Sequence, residues 1–311
     1  MNLILTVTVN PAIDKTVSAD RLVFEDRSYI LSSTEAAGGR GLNASRVLHA
    51  FGANTLAIAP SGGEAGEQLH AYLSSNLYPF ELVPIARGIR TNLIITDKQG
   101  LTVKLNEPGP ELSPEELARM EKAVCQHLDK ASWLLLCGSL PPGVSSAFYC
   151  RLIRAAKKRG VKTLVDTDAE VLQDALLEGP TAITPNQHEA SRLLNKGLIT
   201  RQHIRSAATR LLSMGSEWVL LSLGGRGAIG ARNGQIVEAV PPSVDAVCPI
   251  GAGDALNAAF VWAISRNDDF ADAVRWGVAA GTASAILPGI QFASLDQTRA
   301  IYEKVELRDL R

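Results

Sequence analysis

Apolar side chains dominate the start of the chain, where Leu3, Ile4, Leu5, Val7 and Val9 follow one another with only threonines between them. A strand covered on both faces in a parallel sheet reads as such a near-continuous run, so residues 1–10 predict a central strand. It ends at Asn10-Pro11-Ala12-Ile13-Asp14. An acid just past the C-terminal end of a central strand stands where open α/β sheets bind ligands, although a solvated turn residue reads the same way. Residues 16–37 are polar, mixed and rich in β-branched side chains without a helical period, so short strands or a flap are expected. Gly38-Gly39-Arg40-Gly41-Leu42-Asn43 then opens a helix with Val47, Leu48 and Phe51 at helical spacing and Gly52 as its stop.

Residues 55–59 read as a strand and 67–74 as a short helix. Arg90-Thr91-Asn92 leads into a hairpin of 93–97 and 101–106 around Lys98-Gln99-Gly100. With the strands of 16–37, this hairpin makes a small β layer over the ligand edge of the main sheet.

From Ser113 the pattern alternates. Ser113-Pro114-Glu115-Glu116 is a capping box that opens a helix to about 130. Strands at 133–137, 163–166 and 182–184 alternate with helices at 147–160 and 171–177. Strand, helix and strand in series imply a parallel sheet with right-handed crossovers. Helix 200–214, strand 218–223 and a hairpin of 228–232 and 235–240 around Asn233-Gly234 follow. Two helices after Gly251 and one from about Ser294 close the chain.

Within these elements, Ile250-Gly251-Ala252-Gly253-Asp254 carries the most chemistry. Pro249 ends the preceding extended segment, and the glycines let a ligand approach the backbone at a helix start. The first-turn N–H groups of that helix have no intrahelical acceptor and form an anion site. An aspartate inside an anion site repels phosphate unless it serves as a base beside a transferring phosphoryl group. Read without its neighbours, the same tetrapeptide is a glycine turn whose acid favours the helix dipole. Arg40 offers a guanidinium for phosphate, Asn43 a donor and acceptor for a sugar hydroxyl, and Arg90 an anion clamp. Asn186 and Glu189, three apart in Pro185-Asn186-Gln187-His188-Glu189, can hold the waters of a magnesium ion or simply cap a helix.

The 311-residue chain is 46% hydrophobic with a formal net charge of −1, which leaves a core in no doubt and gives no basic field for nucleic acid or an anionic membrane. Four scattered cysteines, with no C-x-x-C, point to a reduced, cytoplasmic setting. No apolar run approaches the roughly 20 residues of a membrane span, so a soluble protein is expected.

The ordered set Asn10-Pro11-x-x-Asp14, Gly38-Gly39-x-Gly41-x-Asn43, Arg90-x-Asn92, Gly138-Ser139-Leu140-Pro141, Asn186-x-x-Glu189, Ser222-Leu223-Gly224 and Gly251-Ala252-Gly253-Asp254 resembles the ribokinase/PfkB family of carbohydrate kinases. Within it, the sequence looks most like the branch that phosphorylates sugar phosphates: 1-phosphofructokinase, tagatose-6-phosphate kinase and the minor 6-phosphofructokinase. The resemblance runs from residue 2 to about 305. It implies one doubly wound, mostly parallel α/β domain over 1–311, with a β-sheet lid from about 12–37 and 88–107 that can also join two copies of the chain.

The resemblance also implies roles. Asp254 is the base, and Gly251, Ala252 and Gly253 form the anion hole. Asp14, Gly38, Gly39, Asn43 and Asn92 line the sugar, with Asp14, Gly39 and Asn43 on its hydroxyls; Arg40, Arg90 and Ser139 hold the phosphate already on it. Asn186 and Glu189 organise Mg²⁺ with ATP, while Ser222, Gly224, Gly225, Gly227 and Ser284 line the nucleotide. The expected activity is ATP-dependent phosphorylation of a ketohexose monophosphate, with fructose 1-phosphate and tagatose 6-phosphate leading and fructose 6-phosphate behind them. The alternatives are a kinase for an unphosphorylated sugar or nucleoside, and a non-catalytic sugar-phosphate binder.

Four positions depart from that pattern. Arg40 stands where Lys is frequent, Thr184 where Lys commonly faces the ATP phosphates, Cys248-Pro249-Ile250 where a Thr-Val pair is usual, and Ser284 where Asn is frequent. The loss of a cation at Thr184 weakens ATP binding or transfer unless Arg226 or another side chain reaches in.

Overall fold

The computed structural model describes residues 3–310. In chain order its first half contains β1 (Leu3–Thr8), β2 (Ala12–Ala19), β3 (Ile30–Gly38), α1 (Arg40–Ala50), β4 (Thr55–Ser61), α2 (Gly63–Ser75), β5 (Phe80–Pro84), β6 (Arg90–Asp97), β7 (Thr102–Asn106), α3 (Pro114–Leu128), β8 (Ala131–Cys137) and α4 (Ala147–Lys157). Its second half contains β9 (Lys162–Asp166), α5 (Ala169–Leu177), β10 (Ala182–Ile183), α6 (Gln187–Leu193), α7 (Arg201–Ser213), β11 (Trp218–Ser222), β12 (Ala228–Arg232), β13 (Gln235–Val240), α8 (Ala252–Ser265), α9 (Phe270–Ala285), α10 (Leu295–Tyr302) and β14 (Glu306–Asp309).

Ten strands form one sheet in the order β14-β13-β12-β11-β10-β9-β8-β1-β4-β5. From β5 to β11 every pairing is parallel, and the last three strands are antiparallel. This is the ribokinase-like α/β fold expected from the sequence. The two-residue period explains why the central strands read as unbroken apolar runs. In β1, Ile4 packs into one core while Leu5 and Val7 pack into the other; in β8, Trp133, Leu135 and Cys137 face one and Leu134 and Leu136 the other. Helices α1, α8, α9 and α10 cover one face, and α2 through α7 the opposite one.

Beyond β1 the chain order splits, with β4 added on one side and β8 on the other. Ligands of doubly wound sheets bind at such a switch point, outside the C-terminal ends of the strands. Asn10 and Asp14 follow β1, Ser139 follows β8, and Asp166 ends β9, so all of them stand on that edge.

A second sheet of four strands, in the order β3-β2-β6-β7, rises from the same edge. The hairpin expected at 93–106 is β6 and β7, and β2 and β3 supply the strands expected in 16–37. Asp14 is therefore a strand residue and not part of a turn, since β2 begins directly after Pro11. Two strands escaped the sequence reading. β5 contains Pro84 and sits at one edge of the large sheet; β14 carries Glu306, Arg308 and Asp309 and sits at the other. Edge strands tolerate proline and charge, which blunts the pattern that reveals central ones. Among the described residues no helix is long and apolar enough to cross a membrane, and all four cysteines are free thiols.

Candidate active site

Glycine shapes the turn between β3 and α1. Gly39 holds φ at 133°, and a Cβ there would strike the Thr8 side chain. Gly38 is bare because a Cβ would collide with the Asp14 carboxylate. Asp14 thus lies buried against the turn, where its Oδ1 accepts a hydrogen bond from Asn92 Nδ2 at 2.7 Å across the β2–β6 pairing. Burial raises the pKa of Asp14, while the bond from Asn92 and the charge of Arg90 pull it back. Arg90, at the root of β6, donates to the carbonyls of Glu107 at 2.9 Å and Asn10 at 3.2 Å, and its Nε is buried with no partner. Asn10 Nδ2 in turn reaches Ser139 Oγ at 3.4 Å. Asp14, Asn92, Arg90 and Ser139 are thereby brought to one side of the site.

At the centre two helix starts meet. Gly251 takes the left-handed conformation (φ 81°) that turns the chain into α8, and Asp254 lies in its first turn. From the start of α1, Asn43 Nδ2 donates to Asp254 Oδ2 at 2.7 Å. The amides of Gly253 and Asp254 have no acceptor earlier in the helix. A Cβ on Gly253 would meet no protein atom, so the backbone is open to a ligand there. Asp254 is only 8% exposed. Burial first, and then the charge of Asp166, push its pKa up to about 7, against the Asn43 bond and the charge of Arg40. A carboxyl tuned near neutrality matches what a general base requires.

The third side is built on Asp166. Its Oδ1 accepts from Arg40 Nη1 at 2.8 Å, and its Oδ2 from Asn257 Nδ2 at 3.0 Å. Arg40 Nη2 lies 3.6 Å from Asp168 Oδ1 and 3.5 Å from Glu189 Oε1. Asn186 caps α6: its Oδ1 accepts from the His188 and Glu189 amides, and Glu189 Oε2 accepts from the Asn186 amide at 2.8 Å. This is the capping box that the sequence left as the alternative to a magnesium role. Both are compatible, because Glu189 Oε1 makes only the loose 3.5 Å ion pair with Arg40 and can still accept from a water ligand of an ion. Among the described residues no group of three His, Cys, Asp or Glu side chains can hold a metal directly.

A cavity of about 110 Å³ lies among Arg40, Asp166, Thr184, Glu189, Gly253 and Asp254. It adjoins one of about 590 Å³ that shares Ser222, Gly253 and Leu256 and includes Gly224, Gly225, Gly227 and the 241–244 loop. Two of the expected residues have their polar atoms engaged by protein groups. Arg40, expected on the substrate's phosphate beside Arg90 and Ser139, crosses Gly138 and ends among Asp166, Asp168 and Glu189. Ser284, expected on the nucleotide, is buried and its Oγ accepts from the Ala293 amide at 3.2 Å; Val278, Gly281, Thr282 and Ala285 form that wall of the larger cavity instead. Arg226 lines the larger cavity, bonded to Gln187, and does not reach the smaller one. Sequence reasoning passed over Asp166 and Asn257. The former ends a parallel strand, and the latter lies three residues after Asp254 on the same helix face, which are the signals that could have found them.

Comparison with known proteins gives the family. The chain is 32% identical over 302 residues to the ATP-dependent 6-phosphofructokinase isozyme 2 of Escherichia coli (strain K12), covering 96% of this chain and 97% of that one. It superposes on the Escherichia coli phosphofructokinase-2 in complex with fructose-6-phosphate with a TM-score of 0.90, at 32% identity, covering 97% and 99% of the two chains. An Arabidopsis thaliana ribokinase complexed with ribose and ATP shares the fold, with a TM-score of 0.76 at 20% identity over 97% and 99% of the two chains. Residues 8–297 match the model of the pfkB family of carbohydrate kinases, and the chain belongs to that family.

Proposed function

We propose that this carbohydrate kinase transfers the γ-phosphoryl group of ATP to a hydroxyl of a ketohexose monophosphate, with Mg²⁺ as the metal and Asp254 as general base. The observation that carries the reading is the setting of Asp254. It lies in the first turn of α8, held by Asn43 and buried enough to titrate near neutrality, at the junction of the Asp14–Arg90 side and the two cavities. As the acceptor oxygen bonds to the γ-phosphorus, Asp254 takes the hydroxyl proton and the bond to the β–γ bridging oxygen breaks, releasing ADP. The Gly251–Gly253 turn offers amides to the charge on the transferring group. Asn186 and Glu189 would hold Mg²⁺ through its waters, and the ion when bound would supply neutralising charge to the transferring group. The nucleotide occupies the larger cavity, with its phosphates toward Gly253.

A phosphorylated acceptor is supported by Arg90, whose buried Nε has no partner, and by Ser139 beside it. Asp14 and Asn43 then take sugar hydroxyls. Fructose 6-phosphate comes first among the acceptors, because the relative at 32% identity is a 6-phosphofructokinase by name; fructose 1-phosphate and tagatose 6-phosphate follow. The four-stranded sheet acts as a lid that excludes water.

The test is ADP release from Mg-ATP by purified protein with these three ketohexose phosphates, fructose, ribose and adenosine. Turnover on a phosphorylated ketohexose is expected. Turnover confined to neutral acceptors would overturn the role of Arg90, and binding without turnover would make the protein a sugar-phosphate binder.

A further inference from the structure

The smaller cavity poses an electrostatic question that the proposed reaction leaves open. Among the described residues three carboxylates line it, Asp166, Glu189 and Asp254, and Arg40 is the sole cation on its wall. The Mg²⁺ of the proposed reaction offsets part of that charge, and a phosphoryl group among three acids gains from a further cation fixed on the wall. The wall at position 184 supplies none: Thr184 is 5% exposed, and its Oγ1 is buried with no hydrogen-bond partner. That hydroxyl is an unspent donor on the cavity wall.

Arg40 is built to supply the charge. It is the first residue of α1, in a turn of three glycines, and its Cγ passes within van der Waals range of Gly138. Asp166 pins Nη1 at 2.8 Å and is itself pinned to α8 by Asn257, so the guanidinium is fixed relative to Asp254. The partners of Nη2 are much looser, at 3.5 and 3.6 Å, beyond hydrogen-bond length. A guanidinium has five N–H donors, and one short bond to Asp166 leaves the others for an anion. The Arg40 side chain remains 34% exposed, open to an arriving ligand.

Resting on the proposed phosphoryl transfer, we infer that Arg40 is a catalytic residue of the donor end. Its Nη2 edge swings from Asp168 and Glu189 onto the γ-phosphoryl oxygens of ATP, and Thr184 Oγ donates to the same group. Arg40 thereby carries the charge that residue 184 does not, and has no part in holding the phosphate resident on the acceptor.

Three variants test this: Arg40→Gln, Arg40→Lys, and Arg40→Gln combined with Thr184→Lys. Affinity for the Mg complex of a β,γ-imido ATP analogue is measured by calorimetry without acceptor, beside steady-state kinetics with the best acceptor of the panel. Arg40→Gln should weaken the analogue at least tenfold and lower kcat by about 10²-fold, with the acceptor KM within twofold of the parent. Thr184→Lys in that background should recover at least tenfold of both losses, because it returns a cation to the same wall. Arg40→Lys, which keeps the charge and the ion pair with Asp166, should fall between the two and controls for folding. A raised acceptor KM with analogue affinity unchanged would overturn the inference in favour of the acceptor's phosphate. Loss of melting temperature with no rescue by Thr184→Lys would reduce Arg40 to a structural ion pair. The calorimetric arm needs no acceptor, so it decides the matter for Arg40 even if every ketohexose phosphate fails in the panel.

Discussion

Asp254 and Asp166 are both buried acids on the same sheet edge, and their environments set them apart. Asp166 is met by Arg40 and Asn257, whereas Asp254 has one neutral donor, Asn43, and a neighbouring negative charge. Only the ionised form of Asp254 can accept a proton, so kcat/KM should rise with pH through an apparent pKa near 7 and level off above it. Asn43→Ala removes a bond that favours the ionised form and should move that midpoint to higher pH; an unmoved or lower midpoint would show that another group governs the profile. Stability follows the opposite course. The unfolded carboxyl titrates near 3.8 and the folded one near 7, so stability is fully present below the lower value and is lost as pH rises toward the higher one. At pH 8 the loss approaches about 4 kcal/mol. Asp254→Asn should therefore melt above the parent at pH 8, by a margin that shrinks toward pH 4, and a margin constant with pH would contradict the assignment.

At the scale of elements, the site is made where chain segments begin and end. The turns into α1 and α8 both depend on glycine, Gly39 at φ 133° and Gly251 at φ 81°. Gly39→Ala should cost about 1–3 kcal/mol of stability, from backbone strain and the clash with Thr8, read by denaturant unfolding. Asn186→Ala removes the α6 cap and should cost about 1 kcal/mol. If Asn186 also helps to hold the metal, the same variant should raise the Mg²⁺ concentration needed for half-maximal rate; an unchanged requirement would leave it as a cap alone. These turns were legible in the sequence because glycine, proline and a capping acid act locally. The direction of Arg40 was not, because its partners Asp166 and Glu189 lie 126 and 149 residues further along the chain. The placement of Ser284 was hidden for a similar reason: its neighbour along the chain, Ala285, faces the cavity while Ser284 turns to Ala293.

At the scale of the whole molecule, the parallel centre of the large sheet could be read from continuous apolar runs, and its edges could not, since Pro84 and the charges of β14 hide them. The small sheet was legible as a hairpin and a stretch of short strands, but their union through the parallel β2–β6 pairing, which joins Asp14 to Asn92, needed the structure. That sheet exposes Ile30, Leu31, Val103 and Leu105, with Phe24 fully exposed in the adjoining loop. We propose that a second copy of the chain covers this surface. Sedimentation should give a dimer or a larger even assembly, and Leu105→Asp with Ile30→Asp should dissociate it; a monomer at micromolar concentration would refute the pairing. The Escherichia coli phosphofructokinase-2 has itself been solved in a tetrameric inhibited form.

In the proposed reaction Asp254 takes the acceptor's proton. Turnover of Asp254→Asn, with Mg-ATP and the best phosphorylated ketohexose of the panel, tests it most directly when both ligands are also titrated onto the variant. In that variant kcat should fall by about 10²–10⁴-fold, with the affinity for each ligand within a few fold of the parent. Turnover within tenfold of the parent would contradict it.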